Sequence, residues 1–262
     1  MLPLVAALSA LWLQSLGAGV RVADAGAPPC ALVCLPYAGG SASFFYGLAR
    51  ASAAGAQMLG ARYPGRQARM REPLAASLEE LASGLCPALL GAGLPRVVLF
   101  GHSMGALLGF EIAARLQGER SVEVAGLLVS AARAPSVGYP ELATNDEDAP
   151  LLAMFESLGG DTAEFLADPE FRALMLPALK ADNLALSRYL VKDPVALDVP
   201  VCVIWPADDP EVTREHVEPW RLTSRHEVDV HEVTGGHFYL YDWPPDVVAL
   251  VDACVAPWLS AR

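Results

Sequence analysis

The sequence predicts an α/β protein built on a mostly parallel, doubly wound sheet, and three observations carry that prediction. Short apolar runs recur at 31–35 (ALVCL), 58–61, 96–100 (RVVLF), 126–130 (GLLVS) and 201–205 (VCVIW). They are too short for helices and apolar throughout, as strands covered on both faces must be. Helix-like stretches alternate with them at 78–90, 104–117 and 245–259, and such alternation implies parallel strands joined by crossover helices. The interval 133–198 breaks the rhythm: it opens with an irregular acidic stretch at 135–150 and then reads as helical at 151–158, 162–166 and 170–189. Too long for a connection, it is expected to be a helical lid inserted at the C-terminal edge of the sheet, where ligands of such folds bind. The chain is therefore expected to be one domain, 1–262, with 133–198 as its lid.

Composition excludes several classes of function. Thirty acidic against 18 basic side chains give a net charge of −12, which repels a polyanion and argues against nucleic-acid binding. With 53% hydrophobic and 18% charged residues, the chain is far from a disordered composition. The five cysteines, Cys30, Cys34, Cys86, Cys202 and Cys254, are odd in number and contain no CxxC pair, which suits a reducing, cytoplasmic compartment. Residues 1–20 carry no charge, yet Pro3, Ser9, Gln14 and Ser15 interrupt them and no basic segment opens them. An apolar helix packed on the domain is expected there, rather than a signal peptide or a membrane span.

The strongest local signal is Gly101-His102-Ser103-Met104-Gly105, directly after RVVLF and directly before the helix-like stretch at 104–117. A serine hydroxyl becomes a useful nucleophile when a sharp strand-to-helix turn projects it at a helix N-terminus, where amides can hold an oxyanion. Glycines on either side are needed because a Cβ would clash in so tight a turn. The chain order of an α/β hydrolase then places an acid and a histidine downstream. His237 follows the strand-like stretch 227–233 through Thr234-Gly235-Gly236, on a loop at a strand's C-terminal end, where the base belongs. His102 is expected to pack beside its strand, and His216, His226 and His231 to lie in polar, exposed stretches. The acid belongs on the loop after VCVIW, and Asp208 and Asp209 both stand there; spacing does not separate them.

No metal is expected, since His226 and His231 would point to opposite faces of a strand and no helical histidine pair occurs. The isolated Gly-Ala-Gly pairs at 17–19 and 91–93 lack the remainder of a nucleotide-binding pattern. One oxyanion donor is expected to be the Met104 amide, and the other to come from the loop Pro36-Tyr37-Ala38-Gly39-Gly40. Each aligned amide lowers the barrier by about 3 kcal/mol.

Taken together and in order, LVCLPYAGGSASFF, YPGRQARMREP, VVLFGHSMGALLGFEIA, LGGDTAEFLADPEF, LPALKADNLALSRY, DDP and TGGHFYL resemble the type II thioesterases that stand beside polyketide synthases and nonribosomal peptide synthetases. The resemblance implies Asp209 as the acid, because it directly precedes Pro, and Ala38 and Met104 as the oxyanion amides. It implies hydrolysis of acyl groups from the phosphopantetheine arm of carrier proteins by a monomer with no cofactor of its own. One departure is Trp205-Pro206, where a glycine pair is usual ahead of the acid loop. Met154, Phe155, Phe165, Leu166, Phe171 and Met175 are candidates to line an acyl channel in the lid, and Arg62, Arg66, Arg69 and Arg71 are candidates to dock an acidic carrier. A lidded carboxylesterase, an acyl-CoA thioesterase, an acyltransferase or cyclase, and a silent binding scaffold use the same framework.

Overall fold

In the computed structural model, residues 2–17, 30–141, 148–159 and 168–260 are described. Seven strands form one sheet among them: β1 (Leu13–Ser15), β2 (Cys30–Leu35), β3 (Gln57–Ala61), β4 (Arg96–His102), β5 (Glu123–Ser130), β6 (Val201–Pro206) and β7 (Val228–Val233). Their spatial order is β1-β3-β2-β4-β5-β6-β7. Only the β1–β3 pair is antiparallel; every other neighbouring pair is parallel.

The helices are α1 (Leu2–Trp12), α2 (Tyr46–Ala51), α3 (Leu78–Gly91), α4 (Met104–Leu116), α5 (Ala149–Ser157), α6 (Pro169–Arg188), α7 (Arg214–Val217) and α8 (Pro245–Ser260). Side chains of β2 alternate between two cores. Ala31, Val33 and Leu35 join one with residues of α3 and α4, whereas Cys30, Leu32 and Cys34 join the other with residues of α8. Helices on both faces bury the central strands completely, and their sequences read as continuous apolar runs for that reason. Of strand β7 only Val228 is buried, as befits an edge.

Helix α3 shows how the sequence sets a boundary. Ser77 caps it by accepting from the Glu80 amide at 3.2 Å, which the first turn leaves without a partner, and Glu80 reaches back to the Ala76 amide just ahead of the cap at 2.7 Å.

The amino-terminal expectation needs one correction. A helix forms, but it ends at Trp12, and Leu13–Ser15 runs straight on as the antiparallel edge strand beside β3. No glycine or proline separates the two elements, so no turn signal marks the change. Trp12 lies against Gly84 of α3, where any added Cβ would collide with the indole ring at 2.0 Å, and the Arg69 guanidinium covers the same ring at 4.1 Å. No described helix is long and apolar enough to cross a membrane.

The packing of α1 sets a test. Replacing Trp12, which is 9% exposed, with alanine should cost about 3–4 kcal/mol in chemical denaturation. Leu11→Ala, at a 39% exposed position, should cost no more than about 0.5 kcal/mol.

Candidate active site

Four loops at the C-terminal ends of parallel strands converge here, following β2, β4, β6 and β7. The loop after β4 is the tightest. Ser103 takes φ 55° and ψ −122° as the residue before α4, a backbone region that non-glycine residues rarely occupy. Its amide is held by the Ser130 carbonyl at 2.8 Å and its carbonyl by the Ala106 amide at 2.9 Å. A Cβ on Gly101 would stand 2.2 Å from the Gly105 oxygen, and one on Gly105 would stand 2.0 Å from the Leu35 oxygen. Both glycines are therefore sterically required, as the motif implied.

The loops after β6 and β7 separate the two aspartates. Asp209, 5% exposed, places Oδ2 2.6 Å from His237 Nδ1, while its Oδ1 accepts from the Glu211 and Val212 amides at 2.8 and 3.3 Å. Asp208 is exposed and faces away: its Oδ2 accepts from the Gly235 amide at 3.0 Å, and its own amide donates to the Gly235 carbonyl at 3.2 Å. One aspartate holds the imidazole, and the other clamps the histidine loop to the acid loop. Trp205, at the point of departure from the family pattern, donates its indole N–H to the Val212 carbonyl at 2.7 Å and closes the acid loop.

Ser103 and His237 lie on the wall of one cavity of about 40 Å³. The His237–Asp209 hydrogen bond is closed, whereas no Ser103–His237 hydrogen bond is formed. Such nucleophile–base contacts are often loose without substrate and tighten only in the complex. The amides of Gly39 and Gly40 are taken by Asp182 and by the Tyr37 carbonyl, at 2.7 and 2.9 Å. Ala38 lies with Ser103 on the cavity wall, and Met104 opens α4.

His102 is completely buried and bonds Ser130 Oγ through Nδ1 at 2.9 Å; Ser130 in turn meets the Tyr239 hydroxyl at 2.8 Å. Its ring lies 5.3 Å from that of His237. Burial, together with the nearby His237, holds its pKa well below the ordinary histidine value, so it stands as a neutral neighbour. Tyr37, its ring 4.9 Å from that of Phe238, is pushed up to about 12 by burial and then by Tyr241.

Of the lid candidates, Met154 and Phe155 line the Ser103 cavity. Met175 does not; it lines an adjoining pocket with Phe171 and Leu174. Phe165 and Leu166 lie outside the described residues. The sequence reading missed Leu179, Asn183 and Leu186, which line the Ser103 cavity from one face of α6; their i, i+4, i+7 spacing is the signal that could have found them.

The arginine cluster is corrected more sharply. Arg66 and Arg69 are 7% and 5% exposed. Arg66 pairs with Asp182, and Arg69 pairs with Glu72 at 2.6 Å and donates to the Arg62 carbonyl at 2.7 Å. Arg62 binds the Ala10 carbonyl at 3.0 Å. Three of the four guanidinium groups pin this loop to the fold, which leaves Arg71 as the exposed member.

His216 and His231 are half-buried rather than exposed, and His226 is exposed as expected. One group of described residues has metal-ligating chemistry: Cys202, His231 and Cys254, whose ligand atoms lie within 4.8 Å of one another. The two sulfurs are 3.1 Å apart, Cys202 donating to Cys254, and none of the three lines the Ser103 cavity. Reasoning from histidine spacing alone could not see this group.

Comparison with known proteins now decides the family. The family profile described as "Thioesterase domain" matches residues 31–254. The chain belongs to the thioesterase family. It is a hydrolase of thioesters, of the type II kind found with polyketide and nonribosomal peptide pathways. It is 38% identical over 216 residues to the thioesterase PikA5 of Streptomyces venezuelae, covering 80% of this chain and 75% of that protein. It is 36% identical over 232 residues to a probable cadicidin biosynthesis thioesterase of Streptomyces griseus, covering 88% of this chain and spanning 62% of that protein's length. Among solved structures, the type II thioesterase BorB from the borrelidin biosynthetic cluster matches with a TM-score of 0.73 at 31% identity, over 95% of this chain and 96% of that one.

The two aspartates of this thioesterase should separate in kinetics. Asp209→Asn is expected to lower kcat for a simple acyl thioester by about 10⁴-fold, as loss of the orienting acid does in other triads. Asp208→Asn should stay within about tenfold of the parent, because it removes only a loop clamp.

Proposed function

We propose that this thioesterase hydrolyses acyl groups from the phosphopantetheine arm of acyl or peptidyl carrier domains, using Ser103, His237 and Asp209 as a triad and passing through an acyl-enzyme. The observation that carries the proposal is the 2.6 Å bond from His237 Nδ1 to a buried Asp209, on the same cavity wall as a serine held at positive φ. That bond fixes the imidazole tautomer with Nε2 facing the cavity as proton acceptor.

In the first step His237 Nε2 takes the Ser103 proton as Oγ attacks the thioester carbonyl, and the oxyanion is held by the Ala38 and Met104 amides. Collapse breaks the C–S bond, and the imidazolium returns its proton to the departing thiolate. In the second step His237 deprotonates water, which attacks the ester carbonyl, and Ser103 leaves with that proton. The protein's own groups supply all of this chemistry; the arm belongs to the partner. The lid residues Met154, Phe155, Leu179 and Leu186 give the acyl chain an apolar wall. The carrier docking surface is not the arginine loop as a whole, given how its guanidinium groups are used.

Ser103→Ala should lower thioester hydrolysis by roughly 10⁴-fold or more with an unchanged unfolding midpoint, and should abolish labelling by a fluorophosphonate probe. A variant that keeps most of its activity would overturn the triad. Competition among an acyl-carrier, the same acyl-CoA and a short oxyester should favour the carrier. Preference for the oxyester would make the protein a carboxylesterase, and a product other than the free acid would make it an acyltransferase.

A further inference from the structure

Two sequence motifs, YPGRQARMREP and LPALKADNLALSRY, have no part in the triad, yet the fold brings them together. Asp182, in α6 of the lid, is 2% exposed. Its Oδ2 accepts from the Gly39 amide at 2.7 Å and from Arg66 Nη1 at 2.6 Å, and its Oδ1 accepts from Arg66 Nη2 at 2.9 Å. Arg66 Nη1 also donates to the Gly40 carbonyl at 3.2 Å, and Arg66 Nε to the Pro64 carbonyl at 3.4 Å. One carboxylate and one guanidinium therefore grip two successive residues of the loop that carries Ala38.

We infer that Asp182 is a positioning residue for acyl transfer: from the lid helix it fixes the shape of the oxyanion loop, so that lid and oxyanion hole form one mechanical unit. Pinning the Gly39 N–H orients the peptide plane that joins Ala38 to Gly39, and Gly39 itself sits at φ +74°, a region glycine enters as freely as any other, so the residue does not fix the turn by itself. Helix α6 also packs directly on this turn, since a Cβ on Gly39 would meet Leu179 at 3.3 Å.

The charge arrangement fits the same role. A bare carboxylate beside a developing alkoxide would oppose it. Arg66 cancels that charge through a two-pronged pair, a geometry lysine cannot reproduce. Burial alone would favour a neutral guanidine; the Asp182 charge and hydrogen bonds outweigh it and push the Arg66 pKa up.

The inference rests on the acyl-transfer reading above, and the experiment separates the two. Full-length Asp182→Ala and Asp182→Asn are compared with the parent and with Ser103→Ala in hydrolysis of an acyl thioester. A second measurement is the affinity for a trifluoromethyl ketone, which forms an oxyanion adduct, and for the free carboxylic acid product. Asp182→Ala should lower kcat by about 10- to 100-fold with KM within about threefold. It should weaken the ketone by a similar factor while leaving the acid's affinity unchanged. Asp182→Asn should fall between the two, because its amide oxygen can still accept from Gly39. An ion pair that merely secured the lid would lose as much in Asn as in Ala, and would not distinguish ketone from acid.

Equal kcat loss in the two variants, kcat within twofold of the parent, or a rise in KM alone would overturn the inference. Should Asp182→Ala fail to fold, Asp182→Asn and Arg66→Lys carry the same test through the ratio of ketone to acid affinity. If Ser103→Ala keeps its activity, the acyl-transfer reading itself fails, whatever Asp182 does.

Discussion

The close approach of α4 to the end of β2 is the constraint on which the site depends. Gly105 leaves no room for a side chain between the helix and the Leu35 and Pro36 carbonyls, so the helix that begins at the serine touches the strand that feeds the oxyanion loop. Ser103, the Met104 amide and the turn at Pro36–Gly40 thereby become one rigid block. The positive φ at Ser103 costs on the order of 1–3 kcal/mol, and it persists because the hydrogen bonds to Ser130 and Ala106 together with the packed helix allow no alternative. In the proposed reaction, preorganisation of this kind would let a fixed pair of amides stabilise an oxyanion without rearranging at the moment of reaction.

How much of this was legible in the sequence follows from the range of each interaction. The central strands and α3, α4 and α8 were legible because burial on both faces, or helical spacing, is written into consecutive residues. Strand β1 was not, because an edge strand three residues long follows the helix directly, with no glycine or proline between them, and is too short to show a period. The serine and the histidine were legible because glycines next to them encode the turn. The choice between Asp208 and Asp209 was not legible from spacing, since both stand on the same loop. Which one faces inward depends on the Trp205–Val212 closure and on a clamp to Gly235, contacts that no local pattern announces.

The arginines are the clearest case of a local pattern misread. Four in ten residues look like a solvated basic patch, yet Arg66 finds its partner 116 residues away and Arg69 lies over Trp12. Charge density is visible in a sequence, whereas burial of that charge depends on long-range topology. The lid shows the same division. Its helices α5 and α6 were legible, but which face of α6 meets the serine is set by how the helix lies across the sheet. Leu179 and Leu186 therefore replace Met175 at the cavity wall.

Buried ion pairs add little net stability, because desolvation offsets most of the attraction, so their placement calls for another explanation. The Arg66–Asp182 pair holds the Gly39–Gly40 turn next to Ala38, which shares a cavity wall with Ser103, and the His237–Asp209 hydrogen bond holds another residue of that wall. Around them, titratable groups are held in fixed states: burial keeps His102 neutral and Tyr37 protonated, and Asp182 keeps Arg66 charged. In the proposed reaction only two new charges then arise, the imidazolium at His237 and the oxyanion at the Ala38 and Met104 amides. Each meets a partner already in place, Asp209 for the cation and the two amides for the anion. Tyr37, Phe155 and Phe238 line the same cavity and keep the local dielectric low, which strengthens both interactions. In the same proposed reaction Asp182 holds the turn next to Ala38, and its charge is paired with Arg66. On that proposal the pair positions the oxyanion loop, a role its small net contribution to folding leaves open.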